Sequence, residues 1–250
     1  MKKEKDSTLY RNVLLGLIVV LIILYGINIF IAGTILNPLK VSLEKSRPAN
    51  LHLALITNNC SNCYDMNNFI SFIKTQNVKI IQEKNLTYSS TEAQNLISEN
   101  RINSLPALII TGEVSQENIA PLWNSLGVQP VNNVVVIGDI PPYYILSTQK
   151  VVGLVDVIRL TDNSCVECYD VENHMQVLPG FGVYINKSLV YDVSSTDGKN
   201  LVQKYNITKV PTILLSPEVS VYKTLTQIWS QVGMIESDGW YVFRATEQMG

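Results

Sequence analysis

The four cysteines of this chain stand in two pairs of equal spacing, Cys60-Ser-Asn-Cys63 and Cys165-Val-Glu-Cys168. Two thiols three positions apart can close a short disulfide loop and reopen it, so the pattern suits dithiol–disulfide exchange. A thiolate attacks a disulfide sulfur, a mixed disulfide forms, and the neighbouring thiol resolves it. Placed at a strand-to-helix junction, the first cysteine of each pair would meet unpaired amides and the positive dipole end of the helix. Those lower a thiol pKa from about 8.5 toward neutrality. Cys60 and Cys165 are then the nucleophiles, and Cys63 and Cys168 the resolving thiols. Between them, Ser61-Asn62 is neutral whereas Glu167 is acidic. Repulsion of the thiolates by Glu167 would make the second pair less acidic and more reducing than the first. Two other readings use the same cysteines: one shared four-thiolate zinc site, or two structural staples, although so short a loop removes little unfolded-state entropy.

The elements that must position these pairs come in duplicate. At a constant offset of 105 residues, Cys60 aligns with Cys165 and Pro106 with Pro211. Leu55, Asn58, Cys63, Tyr64, Asp65, Asn68, Val78, Ile80, Ser89, Ser90, Thr91, Asn95, Leu96, Ile102, Glu113, Val114 and Ser115 also meet identical residues at that offset. One inserted residue later, Trp123 aligns with Trp229 and Gly127 with Gly233. A repeat of this length reads as tandem duplication. In each copy an apolar run (Leu51 to Thr57; Val151 to Leu160) reads as a buried strand ending at the cysteines. Helical spacing follows, at Met66, Phe69, Ile70 and Ile73 and at Val171, Met175 and Leu178. A second strand is expected at Val78 to Ile81 and at Leu189 to Val193. Ser90 and Ser195 then offer N-caps to a second helix. Strands follow the prolines at 107–111 and 212–216, a helix carries Trp123 or Trp229, and last strands lie at 133–137 and 240–243. Strand–helix alternation of this kind demands right-handed crossovers and a largely parallel sheet covered on its faces, with a final strand that can pair antiparallel; the expected class is α/β, a mixed central sheet flanked by helices.

The order strand, C-x-x-C, helix and later proline before another strand resembles the thioredoxin fold, and the run Lys204-Tyr-Asn-Ile-Thr-Lys-Val-Pro-Thr212 is especially similar to that family's approach to its cis-proline. Two such units resemble the paired architecture of protein disulfide isomerases and two-domain protein disulfide oxidoreductases. The resemblance implies that Pro106 and Pro211 are cis and face the cysteines. It also implies that Leu105 with Pro106, and Val210 with Pro211, bind extended substrate backbone. The chain departs from the family in lacking a tryptophan before the first cysteine and a proline between the cysteines. Ala54 and Arg159 stand where thioredoxins keep a buried acid. Asp65 and Asp170 read as first-turn helix acids rather than catalytic groups, Tyr64 and Tyr169 as residues packing beside the site, His174 as a surface or satisfied core residue, and the two tryptophans as core anchors.

Composition supplies the rest. A net charge of -2 with 16% charged residues excludes a phosphate-tracking nucleic-acid protein. A mean hydropathy of +0.15 is high for a water-soluble domain. Its main source is Val13 to Leu36, without one charge. As a helix this run reaches about 36 Å, enough to cross a hydrocarbon core of about 30 Å. A cleaved signal peptide would have a shorter apolar region and a small-x-small site. Four basic residues precede the run and Lys40, Lys45 and Arg47 follow it, which favours a cytoplasmic N-terminus. The expected organisation is a cytoplasmic tail (1–12), a transmembrane helix (13–36), a juxtamembrane tether (37–48), and two thioredoxin-like domains (49–140 and 141–250), both extracytoplasmic. Cysteines confined to such pairs fit an oxidising compartment. The expected function is thiol:disulfide exchange or isomerisation on protein clients carrying dithiols or disulfides, with no organic cofactor and no metal. Electrons would pass to or from another partner, for which a membrane quinone-linked protein is one candidate. The alternative is a non-catalytic binding or assembly module.

Overall fold

The computed structural model describes residues 2–248. Leucine, isoleucine and valine on every side carry a helix, α1 (Lys2–Ile31), which passes through a π-helical turn (Ala32–Leu36) into α2 (Asn37–Ser46). From Tyr10 to Glu44 this rod is long and apolar enough to cross a membrane, with a mean hydropathy of 2.9 in its most apolar window and nothing packed against it. The expected tether is therefore itself helical over most of its length. It stops at Arg47, whose extended backbone precedes Pro48 and turns the chain into the first sheet.

The rest follows as β1 (Ala49–Thr57), α3 (Met66–Lys74), β2 (Val78–Thr87), α4 (Thr91–Asn100), β3 (Ser104–Leu105), β4 (Ala107–Gly112), α5 (Ala120–Ser125) and β5 (Val134–Ile137). A hairpin of β6 (Tyr143–Ile145) and β7 (Lys150–Val152) intervenes. Then come β8 (Val155–Thr161), α6 (Asn173–Val177), β9 (Ile185–Asp192), α7 (Thr196–Lys204), β10 (Thr212–Leu215), α8 (Lys223–Val232), β11 (Gly233–Ile235) and β12 (Tyr241–Phe243).

The first sheet has the order β2-β1-β4-β5, with β1 and β2 parallel and the other neighbours antiparallel. The second has the order β9-β8-β10-β12-β11, with the same parallel first pair and antiparallel remainder. The sheets are thus mainly antiparallel rather than largely parallel, because only the first helix of each copy makes a crossover between neighbouring parallel strands. Alternation along the central strands feeds a core on each face. Leu51, Leu53 and Leu55 meet Ile70, Ile73 and Trp123 on one side, while Ile56, Ala107 and Ile109 meet Ala93 and Leu105 on the other. Val155 and Val157 pack with Leu225 and Trp229, and Leu160 and Leu214 with Tyr205 and Ile207. Trp123 and Trp229 are buried and satisfied: Trp123 donates to the Val114 carbonyl at 2.7 Å and Trp229 to the Met234 carbonyl at 3.3 Å.

The sequence signals fix the starts of α4 and α7 better than the strand ends. Ser90 and Ser195 are N-caps, their hydroxyls accepting from the Ala93 and Gly198 amides at 3.2 and 3.0 Å. β2 and β9 run well beyond the apolar residues that announce them, because they are sheet-edge strands with polar side chains facing water. The run Val151 to Leu160 is two strands, broken at Gly153, whose φ of +89° is open to glycine. A methyl group there would lie 2.8 Å from Pro141 Cβ and 3.3 Å from Pro142 Cα. Three contacts hold this corner. The Gly153 N–H donates to the Glu218 carboxylate at 2.9 Å, the Tyr222 hydroxyl donates to the Gly153 carbonyl at 2.5 Å, and that hydroxyl accepts from the Tyr184 N–H at 3.0 Å.

Candidate functional site

Each cysteine pair closes a loop at the end of a first strand, where β1 or β8 has delivered the chain to one edge of its sheet. Cys60 and Cys63 form a disulfide with Cα atoms 5.5 Å apart, and Cys165 and Cys168 one with 5.6 Å. A backbone clamp ties each loop to the neighbouring strand end: the Tyr88 N–H donates to Thr57 at 2.7 Å, and the Val193 N–H to Thr161 at 2.9 Å.

Neither pair sits on a helix start. α3 begins at Met66 with Asp65 as its N-cap, the carboxylate accepting from the Asn67 amide at 2.9 Å. In the second unit Asp170 accepts from Glu172 at 2.8 Å, and α6 begins only at Asn173. These two acids, read from sequence as first-turn residues, set the chain turn instead and delay each helix past the cysteines. The helix-dipole route to a low thiol pKa is therefore weaker than the spacing suggests. α6 is also brief, because Pro179, Gly180 and Gly182 follow it and the chain tightens into a 3-10 turn.

The Leu105–Pro106 and Val210–Pro211 peptides are cis. Around the second pair, Cys168, Tyr169, Val210 and Pro211 line one open cleft of about 410 Å³, with Thr208 and Lys209 on its rim. Cys165 is exposed and the neighbouring Val166 is 96% exposed. Tyr169 binds the two halves of this site together, its hydroxyl donating to the Pro211 carbonyl at 2.8 Å. Burial pushes the Tyr169 phenol up to about 12, so it stays a donor throughout the working pH range. His174 lies behind it, buried, 3.3 Å from the Tyr169 hydroxyl and edge-on to Phe243. Its pKa is lowered by burial, which makes it a neutral core residue.

Arg159, in the place where the resembled family keeps an acid, is ion-paired with Glu172. The loop before Cys165 is fastened by Asp192, which accepts from the Asn163 amide at 2.7 Å and from the Ser194 hydroxyl and amide. Those donors hold its carboxyl below the usual range.

The first site is built differently. Cys60 lines a cleft of about 430 Å³ with Asn58, Asn59, Tyr88 and Ser89, but the opposite wall is Tyr144 and Val151 of the β6–β7 hairpin. Leu105 does not reach this cleft; it is fully buried. The hairpin pairs antiparallel with β3, Leu105 opposite Tyr144 and Ser104 opposite Ile145. The Leu146 N–H donates to Asn103 at 2.9 Å, and the Tyr64 N–H, next to Cys63, donates to Pro142 at 2.7 Å. The segment that the expected boundary after residue 140 assigns to the second domain thus forms part of the first site, and its only advance signals were the Pro141-Pro142 turn and the β-prone Tyr143-Tyr144-Ile145 run.

Among the described residues no three metal-ligating side chains gather, so the two cysteine pairs do not converge on a shared four-thiolate centre.

No family model matches the chain, and no curated protein matches it. Solved structures do. The alkylhydroperoxide reductase component AhpF of Enterococcus faecalis aligns at 14% identity over 74% of this chain and 94% of its own, with a TM-score of 0.23. ERdj5 aligns at 10% identity over 69% of this chain and 26% of its own, with a TM-score of 0.19. Human ERp44 aligns at 12% identity over 69% of this chain and 47% of its own, with a TM-score of 0.18. These are thioredoxin-fold redox proteins. At such scores the likeness carries no weight beyond itself; strand order and the placing of the cysteine loops define the fold. The chain is a mixed α/β protein with two disulfide-bonded C-x-x-C pairs and one N-terminal helix long and apolar enough to span a membrane.

Proposed function

We propose that this chain is a membrane-anchored, extracytoplasmic thiol:disulfide oxidoreductase or isomerase. In this reading it carries two tandem thioredoxin-like domains, each with one C-x-x-C site, and acts on protein clients. The observation that carries the reading is the second site, where a disulfide-bonded pair shares an open cleft with the backbone beside cis-Pro211. The repeated strand order and the 105-residue offset support two units of one origin. The stretch of α1 from Val13 to Ile31 supports the anchor, since a helix with every face exposed and apolar has no other solvent to match it. The basic residues before it and the pairing of all four cysteines support the N-inside orientation.

Reduced, Cys165 or Cys60 attacks a client disulfide and expels one client thiolate. Cys168 or Cys63 then attacks the mixed disulfide and expels the second. Two electrons and two protons pass to the client, and the pair becomes a disulfide; a client dithiol drives the same steps backward.

Differential alkylation across a redox series tests this, together with trapping by Cys63→Ser and Cys168→Ser variants. Reversible two-electron titration and accumulated client adducts are expected, and cysteines inert at all accessible potentials would overturn the reading. After reduction of the disulfides with a membrane-impermeant phosphine, labelling of the pairs by a membrane-impermeant thiol reagent on intact cells is expected from the topology; protection there, with labelling restored by permeabilisation, would refute the orientation.

A further inference from the structure

The geometry points to a division of labour between the two sites: Cys165–Cys168 accepts extended protein segments, whereas Cys60–Cys63 exchanges with small thiols and disulfides that need no backbone pairing. This rests on the redox reading above. The backbone edge beside the cis-proline can pair with an incoming strand only once. At the first site that pairing is already made, by the chain itself. Leu105 and Tyr144 face each other in antiparallel register, one step from the Leu146-to-Asn103 hydrogen bond of 2.9 Å at the adjoining end. Alternation in an antiparallel ladder places the next hydrogen-bonded couple at Leu105 and Tyr144 themselves. Leu105 is accordingly buried to 0% exposure.

At the second site no strand pairs with residues 208–210 among the described residues, and Val210 lines the open cleft beside Cys168. The C-terminal turn lines the same cleft through Thr246 and Glu247, and Glu247 pairs with the Lys209 ammonium, but among the described residues it adds no strand to 208–210. β6 therefore displays, at Leu105, the occupant that Val210 lacks: an extended polypeptide in antiparallel pairing. What remains beside Cys60 is a cleft of about 430 Å³ walled by Tyr144 and Val151, next to a backbone edge that is already paired.

The hairpin is also locked. Gly153 and Tyr222 hold its base, and the Tyr64-to-Pro142 bond joins it to the residue after Cys63. Opening the first edge to a client would break several of these contacts at once.

The test uses the full-length chain in detergent with one nucleophile at a time. Cys63→Ser with Cys165→Ser and Cys168→Ser reports on Cys60; Cys168→Ser with Cys60→Ser and Cys63→Ser reports on Cys165. Each is offered two probes with the same leaving group, the thionitrobenzoate mixed disulfide of cysteine and that of a flexible peptide with a central cysteine. The thiolate takes the cysteine sulfur, a protein–probe disulfide forms, and coloured thionitrobenzoate leaves. The ratio of peptide rate to small-probe rate is expected to be at least ~10-fold higher at Cys165, the order expected when about two net backbone hydrogen bonds are available at one site and not the other. Equal ratios would overturn the division of labour and leave the redox reading intact. Two nucleophiles no faster than a free thiol toward either probe would overturn both. Tyr144→Pro, which removes the N–H facing Leu105, is expected to raise the ratio of peptide rate to small-probe rate at Cys60, and a ratio that does not rise in a variant that still folds would overturn the sealed edge. Independently of how that variant folds, the Leu105 amide of the unaltered chain should resist hydrogen exchange; exchange at the rate of an unpaired amide would refute the sealed edge.

Discussion

Gly153→Ala puts the packing around the hairpin at risk in a measurable way. At a φ of +89° an L side chain is strained, and the left-handed conformation costs roughly 1–2 kcal/mol. The added methyl would also lie 2.8 Å from Pro141 Cβ, 3.3 Å from Pro142 Cα and 3.3 Å from the Tyr222 hydroxyl. Both prolines belong to the turn that carries β6, and neither contact is with a flexible chain end, so overlap adds roughly 1–3 kcal/mol. The expected loss is about 2–5 kcal/mol, against a typical domain stability of about 5–15 kcal/mol. Urea unfolding followed by tryptophan fluorescence reads this as a lowered midpoint, with Trp229 and Trp240 reporting from the second unit. Gly138→Ala is the control, because a methyl there meets nothing closer than 3.8 Å. It should cost little. If the two variants unfold at the same denaturant concentration, the account of Gly153 as a position only glycine can fill is wrong.

Further perturbations address other contacts. Tyr222→Phe strands the buried Gly153 carbonyl and frees the partly exposed Tyr184 amide, and should destabilise by about 1–3 kcal/mol; a loss below about half a kcal/mol would show that water replaces the hydroxyl. Trp123→Ala should cost about 3–5 kcal/mol by cavity formation and a lost indole bond to Val114, checked by the same urea titration. Arg47, with help from the Asn50 amide, holds the Glu113 carboxyl down to about 2 from an ordinary 4.5, so its contribution is full above pH 4.5 and is lost as pH falls toward 2. The stability gap between the unaltered chain and Glu113→Gln should therefore narrow across that window, and a gap unchanged down to pH 2 would refute the assignment. Glu167→Gln removes a charge that disfavours the thiolates, so the Cys165–Cys168 potential should rise toward less reducing values; a fall, measured against glutathione, would reverse the sign of the argument.

Most of the framework was legible because it is local or repeated. Cysteine spacing, serine caps and the apolar strands each carry their own signal, and the constant offset multiplies it. What escaped depends on partners distant in sequence. Nothing near Tyr144 announces that it will pair with Leu105, and nothing near Gly153 announces that Pro141 will lie against it. The helix starts slipped for a different reason. Asp65 and Asp170 are equally at home as first-turn acids and as caps, and only the backbone amide each one accepts decides between them. The edge strands β2 and β9 outran their apolar cores because hydrogen bonding to one neighbour continues where burial has ended.

The end of α2 has a mechanical consequence. Arg47 forks onto Glu113 at 2.5 and 2.6 Å and also reaches Glu44 at 2.7 Å, while Gln116 and Asn118 donate to the Arg47 carbonyl at 3.1 and 2.7 Å. The join between rod and sheet is thus a bolted mount, not a leash. With its lower half held in a bilayer as proposed, the protein would carry its first unit at one height and one heading, set by the roughly 15 Å length of α2. A leashed enzyme samples a hemisphere of collision angles. A bolted one presents a single face, so clients threading past the membrane would meet the sites in a repeatable orientation.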